Sequence, residues 1–357
     1  MRVGGGGRVT AVDEPIFAGT LGTVPRPADS AGPADPSAWP RARLHVVTGK
    51  GGTGKTTVAG ALALALASAG RRTLIVEVEG RQGLAQLFDT PPLPYAERRV
   101  AVAPGGGEVR ALAVDAEEAL LDYLDMFYKL GSAGRALKRL GAIDFATTIA
   151  PGLRDVLLTG KVKEAVTRTE QGRRARGRVY DAVVLDAPPT GRIARFLNVT
   201  AETAKLAKVG PIKTQSEGVA AILRSPLTAV HVVTLLEEMP VQETADATAE
   251  LADLGITVGA IIVNETRPPL LDGGRVTQAE LRRGLAAAGL PTDRATVAGL
   301  AAEVSAYRSR VALERRLRGE LETLDRPLLD LPLLPEGVDL SALYALAEAL
   351  TKQGVTA

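Results

Sequence analysis

The stretch HVVTGKGGTGKTTVAG, residues 45–60, limits the fold of this chain more than any other. An apolar run, a glycine-rich loop and an alanine-rich helical pattern follow one another without a break. Continuous apolar residues ahead of the loop suit a strand buried on both faces. Residues 58–70, VAGALALALASAG, suit a buried helix, with Gly70 as its C-cap. Four glycines between them let backbone N–H groups converge on an anion without a Cβ in the way. The loop carries G-x-x-x-x-G-K-[ST] as Gly49, Gly54, Lys55 and Thr56, the phosphate-binding pattern in its strand–loop–helix context. Lys55 is expected to reach the β- and γ-phosphates of ATP, and the Thr56 hydroxyl to ligand Mg²⁺. Gly51, Gly52, Thr53 and Thr57 complete the expected cradle at a helix N-terminus.

The same grammar recurs downstream. Short apolar runs stand at 73–78, 109–114, 181–186, 229–236, 258–264 and 326–332, with helical patterns between most of them. Buried strands alternating with helices predict an α/β fold, a mostly parallel, doubly wound sheet of the P-loop nucleoside-triphosphatase kind. The rhythm breaks from about 115 to 178. There Asp115 can cap a helix with Glu118 in capping-box position, Leu121, Leu124 and Tyr128 recur at helical spacing, and further helical patterns cover 133–149 and 152–169. This reads as a helical insertion subdomain, its Leu121–Leu124–Tyr128 stripe read as core rather than as a client groove. GRRARGR at 172–178 reads as a solvated loop. Residues 1–42, rich in Gly and Pro, read as a disordered tail ahead of an ATPase domain at 43–357.

Composition narrows the chemistry. The 357 residues include no cysteine and two histidines, which argues against disulfides, thiolate metal centres and zinc. A formal charge of +2 argues against nucleic acid as the main partner. No apolar run reaches the roughly 20 residues of a membrane span, and no secretory signal pattern opens the chain. The expected location is cytoplasmic, with membrane contact at most peripheral.

One residue exceeds what a phosphate cradle needs: Lys50. The string K-G-G-x-G-K-[ST] resembles the deviant loop of the signature-lysine ATPases, which include partitioning ATPases, the nitrogenase iron protein and arsenite-pump ATPases. The resemblance implies that Lys50 crosses a dimer interface to a partner's nucleotide, in a homodimer or with a related ATPase subunit. The stretch IVEVEGRQGLAQLF, 75–88, stands where the arsenite-pump family has an aspartate that orients the attacking water. Glu79 matches it, one methylene longer, and is the third expected catalytic residue with Lys50 and Lys55. Glu77, inside the strand, is a second candidate for the same role.

VVLDAPPTGRIARFL, 183–197, is similar to the family's switch, with Arg192 where the family has a histidine. Asp186, at the end of a parallel strand facing the loop, suits the magnesium shell with Thr56. Asn264, closing AIIVN, matches the family's adenine-recognising asparagine, and 331–340 falls at its second adenine-side loop. The resemblance covers almost everything from residue 44 onward. It is most marked to an actinobacterial anion-transporting-ATPase-like branch, and extends to the ATPases that target tail-anchored proteins, without their zinc-binding C-x-x-C. It implies a Mg-dependent, nucleotide-gated ATPase dimer that switches a helical subdomain to act on a protein client or membrane-linked partner. Arsenite transport would need soft thiolates that the chain lacks. Three other readings stand beside it: a partitioning ATPase on nucleoid or membrane, a small-molecule kinase or ATP-dependent ligase on the same fold, and a nucleotide-binding scaffold with little turnover.

Overall fold

The computed structural model describes residues 42–128, 151–170, 177–199, 201, 210–267, 270 and 276–355. Eight strands form one sheet: β1 (Leu44–Gly49), β2 (Arg72–Glu77), β3 (Arg98–Val102), β4 (Glu108–Ala113), β5 (Ala182–Asp186), β6 (Thr228–Thr234), β7 (Val258–Thr266) and β8 (Leu328–Pro332). Their order is β3-β4-β2-β5-β1-β6-β7-β8. Every neighbouring pair is parallel except β3 with β4. The helices are α1 (Lys55–Ala67), α2 (Gly83–Leu87), α3 (Ala116–Tyr128), α4 (Pro151–Thr167), α5 (Thr190–Leu197), α6 (Pro211–Leu223), α7 (Glu238–Asp253), α8 (Gln278–Ala287), α9 (Arg294–Glu322) and α10 (Leu340–Lys352). The α/β, mostly parallel sheet expected from the apolar runs is the architecture found.

The sheet is buried on both faces, and composition explains how. Every residue of β1, β5 and β6 is buried, as continuous Val/Leu/Ala strands require when helices cover both sides. On one face α1 and α10 close a core that includes Leu62, Leu66, Val184, Ile262 and Leu343. On the other, α3, α4, α5 and α6 close a second, with Leu120, Val156, Ile193, Phe196 and Val219. In α1 every residue from Val58 to Ala67 is buried, so its alanines serve close packing between sheet and α10, not a wet face.

Several local expectations shift. β3 was not among the apolar runs: Arg-Arg-Val-Ala-Val is largely exposed and sits antiparallel at the sheet edge, where charge discourages edge-to-edge pairing. α1 stops at Ala67, capped by Ser68, and Gly70 follows at φ +82° in the turn. Asp115 does cap α3, its Oδ1 accepting from the backbone of Glu117 (2.9 Å) and Glu118 (3.0 Å). The buried face of α3 is Ala116, Ala119, Leu120 and Tyr123, with Leu121 and Leu124 at its margin. The tail to residue 41, the pattern at 133–149 and residues 172–176 lie outside the described residues. Among the described residues no helix is long and apolar enough to cross a membrane.

Candidate active site

All parallel strands end on one rim, and the residues picked from sequence collect there. The chain moves one way from β1 to β2 and later the other way to β6, so β1 lies at the reversal, where ligands bind in open α/β sheets. The glycine loop follows β1 directly. A Cβ on Gly49 would lie 2.1 Å from the Val233 carbonyl oxygen, so the loop can leave the sheet only as glycine. Gly54 has φ +84°, and a Cβ there would meet Asn264 Nδ2 at 2.4 Å.

The loop is folded on the Lys50 carbonyl. It accepts from Thr53 Oγ1 at 2.9 Å and from Lys55 Nζ at 3.2 Å. The Lys55 ammonium is therefore folded back onto the start of its own loop. Burial lowers its pKa, opposed chiefly by the charge of Asp186. Thr56, in the first turn of α1, donates to Asp186 Oδ2 at 2.7 Å, with Thr57 beside it in the same turn. Asp186 is nearly buried, and desolvation pushes its carboxyl up to about 6 against the pull of the Thr56 hydrogen bond and Lys55. Hydroxyl, carboxylate and ammonium thus converge at the loop.

Asn264 ends the apolar part of β7 and donates Nδ2 to the Thr53 carbonyl at 3.0 Å. It lines a cavity of about 300 Å³ with Leu235, Leu236, Glu265, Arg310 and Arg318. One amide N–H is spent on the loop, which leaves the second N–H and the carbonyl oxygen of the group for other partners. Residues 331–340 run from β8 into α10.

Lys50 points elsewhere. Its Nζ contacts Oε1 of Glu243 on α7, and the other oxygen of Glu243 accepts from Thr190 Oγ1 at 2.8 Å. Both partners of the ion pair are about a third exposed. Hydrogen bonds from Lys50 first and Thr190 next hold the Glu243 carboxyl below the usual carboxylate range. Glu79 is met by two guanidinium groups, Arg192 Nη1 at 3.4 Å and Arg81 Nη2 at 3.7 Å. The first turn of α5 therefore touches both: Thr190 through Glu243 to Lys50, and Arg192 to Glu79. Glu77 is buried, and its Oε2 accepts from the Leu84 backbone at 3.1 Å.

Sequence reasoning missed Glu243 and Arg81. Arg81 stood in the quoted stretch beside Glu79 and had a local signal. Glu243 lies 193 residues from Lys50 and had none.

The family model for anion-transporting ATPases matches residues 42–221. ATPase BagA of Mycobacterium tuberculosis is 54% identical over 328 residues, covering 90% of this chain and 96% of that protein. ATPase GET3 of Kluyveromyces lactis is 27% identical over 257 residues, covering 62% and 72%. The arsenical pump-driving ATPase of Acidiphilium multivorum is 25% identical over 333 residues, covering 83% and 52%. The chain belongs to the anion-transporting ATPase family and is an ATPase.

Proposed function

We propose that this ATPase works as a Mg-dependent, nucleotide-gated pair of subunits in which each Lys50 serves the other subunit's ATP. The observation that carries the reading is the position of Lys50. Its ammonium is not spent in its own phosphate cradle, which Lys55 already occupies, but is held at the mouth by Glu243. A cation parked beside the site and able to leave it suits a site completed by assembly.

Roles follow from the geometry. Gly49 to Gly54 present backbone N–H groups to the phosphates, Lys55 neutralises the β- and γ-phosphoryl oxygens, and Asn264 with its cavity takes the base. The Thr56 hydroxyl and Asp186 carboxylate, 2.7 Å apart, are hard oxygen donors of the kind that suit Mg²⁺, an ion that keeps much of its water and needs one or two carboxylates. Bound there, Mg²⁺ would offset phosphate charge. Glu79 accepts a hydrogen bond from the attacking water once Arg192 and Arg81 turn to the phosphate. Release of γ-phosphate returns Thr190 and Lys50 together to Glu243, because one carboxylate holds both. The helices inserted between β4 and β5 then move against a protein client. Transport of arsenite is no part of this reading, since the sequence holds no thiolate donor.

A low-turnover nucleotide switch is favoured by one observation: Glu79 is flanked by two arginines rather than left open to water. Mg-dependent ATP turnover per subunit, measured across a wide range of protein concentration, tests both. The paired reading expects specific activity to climb and saturate. Activity that is substantial and independent of concentration would refute pairing. ATP binding with turnover flat near zero would favour the switch.

A further inference from the structure

Glu77 closes β2 and is the register partner of Asp186, which closes β5. Paired residues on parallel neighbours point to the same face, with strands about 4.8 Å apart. Two carboxylates thus stand side by side at the strand ends, under the first turn of α1. Glu77 is 3% exposed. Its Oε2 accepts from the backbone N–H of Leu84 at 3.1 Å, while its Oε1 is fully buried and has no hydrogen-bond partner among the described residues. The charge of Glu77 acts directly on Asp186.

A buried carboxylate oxygen without a donor is costly, and two adjacent acids add repulsion. Such an arrangement persists where something else supplies positive charge and hydrogen-bond donors. A hydrated divalent cation supplies both. Two carboxylates and one hydroxyl also match a cation that keeps several waters. We propose that Glu77 belongs to the Mg²⁺ shell of the nucleotide site, its Oε1 accepting a hydrogen bond from water on the ion beside Asp186. The inference rests on the reading of Thr56 and Asp186 as the metal end of the site. Through Oε2 the same carboxylate fixes the loop from Val78 to Gly83, which bears Glu79. Glu77 is then a positioning residue that tells that loop whether the metal is in place, and its task differs from that of Glu79.

The test uses Mn²⁺ as a spectroscopic stand-in, titrated into the full chain with a saturating non-hydrolysable ATP analogue and followed by electron paramagnetic resonance. In Glu77→Gln the amide carbonyl still accepts from Leu84, so the fold is kept while the charge is lost. Expected is a weakening of Mn²⁺ affinity by roughly 10-fold or more, with analogue affinity in EDTA unchanged. Glu79→Gln, by contrast, should leave Mn²⁺ affinity unchanged. Unaltered Mn²⁺ affinity in Glu77→Gln, with only a lower unfolding midpoint, would overturn the proposal and make Glu77 a structural acid. If Glu77→Gln does not fold, Glu77→Ser is measured, which removes the charge with a smaller polar side chain, and full Mn²⁺ affinity there would overturn it equally. Thr56→Ala separates the two levels. Loss of Mn²⁺ affinity in Thr56→Ala but not in Glu77→Gln sinks this inference alone, and no loss in either sinks the metal reading beneath it.

Discussion

Replacing Gly54 by alanine tests how the loop and the candidate base-binding residue are joined. Two costs follow from the structure. The backbone at Gly54 has φ +84°, a left-handed conformation that costs an L-residue about 1–2 kcal/mol. The new Cβ would stand 2.4 Å from Asn264 Nδ2, so the amide must swing away and lose its 3.0 Å bond to the Thr53 carbonyl. That bond is worth about 0.5–1.5 kcal/mol. Gly54→Ala should therefore destabilise the chain by about 1.5–3.5 kcal/mol. The second part depends on Asn264 and the first does not. In an Asn264→Ala background, Gly54→Ala should cost only about 1–2 kcal/mol. Urea unfolding of the four proteins of this cycle, without nucleotide, reads both numbers, and ATP-analogue affinity should fall in every variant. Equal costs of Gly54→Ala in the two backgrounds would refute the coupling of loop and amide.

Three further outcomes follow from the same geometry. His45 and His231, on neighbouring strands, are fully buried with Nδ1 of one 3.0 Å from Nε2 of the other. Burial lowers His45 to about 4 and His231 well below its ordinary value. The unfolded chain takes up these protons near pH 6.5 and the folded chain does not, so stability is full above that pH and falls as pH drops toward 4, by up to about 2.7 kcal/mol per unit; urea midpoints between pH 7.5 and 5 should show the slope, and His45→Gln/His231→Gln should flatten it. Glu243→Gln releases Lys50 in both subunits, so the protein concentration giving half-maximal specific activity should fall roughly 25-fold, the equivalent of about 1 kcal/mol for each of two partly exposed ion pairs; an unchanged concentration dependence would mean that the contact restrains nothing. Glu79→Gln should lower kcat by roughly 10²–10⁴-fold while ATP affinity stays constant, and retained turnover would remove Glu79 from the chemistry.

What the sequence made legible was local or lay at strand ends. The strand, glycine loop and helix at 44–67 could be read because each demand falls on adjacent residues: apolar before, glycine within, alanine after. Asp186 and Asn264 could be placed because each closes an apolar run, and parallel strands bring all such ends to one rim. The partner of Lys50 could not. Glu243 sits on the outer side of α7, whose buried face is Pro240, Val241, Thr244, Ala247, Thr248 and Leu251. Nothing separates it from the neighbouring Glu237 and Glu238 until α7 is packed beside α5. Strand β3 escaped because an arginine-rich edge strand lacks the buried pattern. On α3 Leu121 and Leu124 mark only the margin of the buried face, because Ala116 and Ala119, which share that face with Leu120 and Tyr123, carry a weaker apolar signal.

The most direct test of the central claim mixes two inactive variants. Lys50→Ala keeps its own cradle but offers nothing to a partner, and Lys55→Ala has a broken cradle but still offers Lys50. In a symmetric pair formed at random from equal amounts, half the dimers are mixed and each has one complete site, so turnover should return to roughly a quarter of the wild-type value. Recovery of that size would establish that Lys50 acts across the pair. A mixture no more active than the two variants measured apart would contradict the account and leave Lys50 a residue of its own subunit.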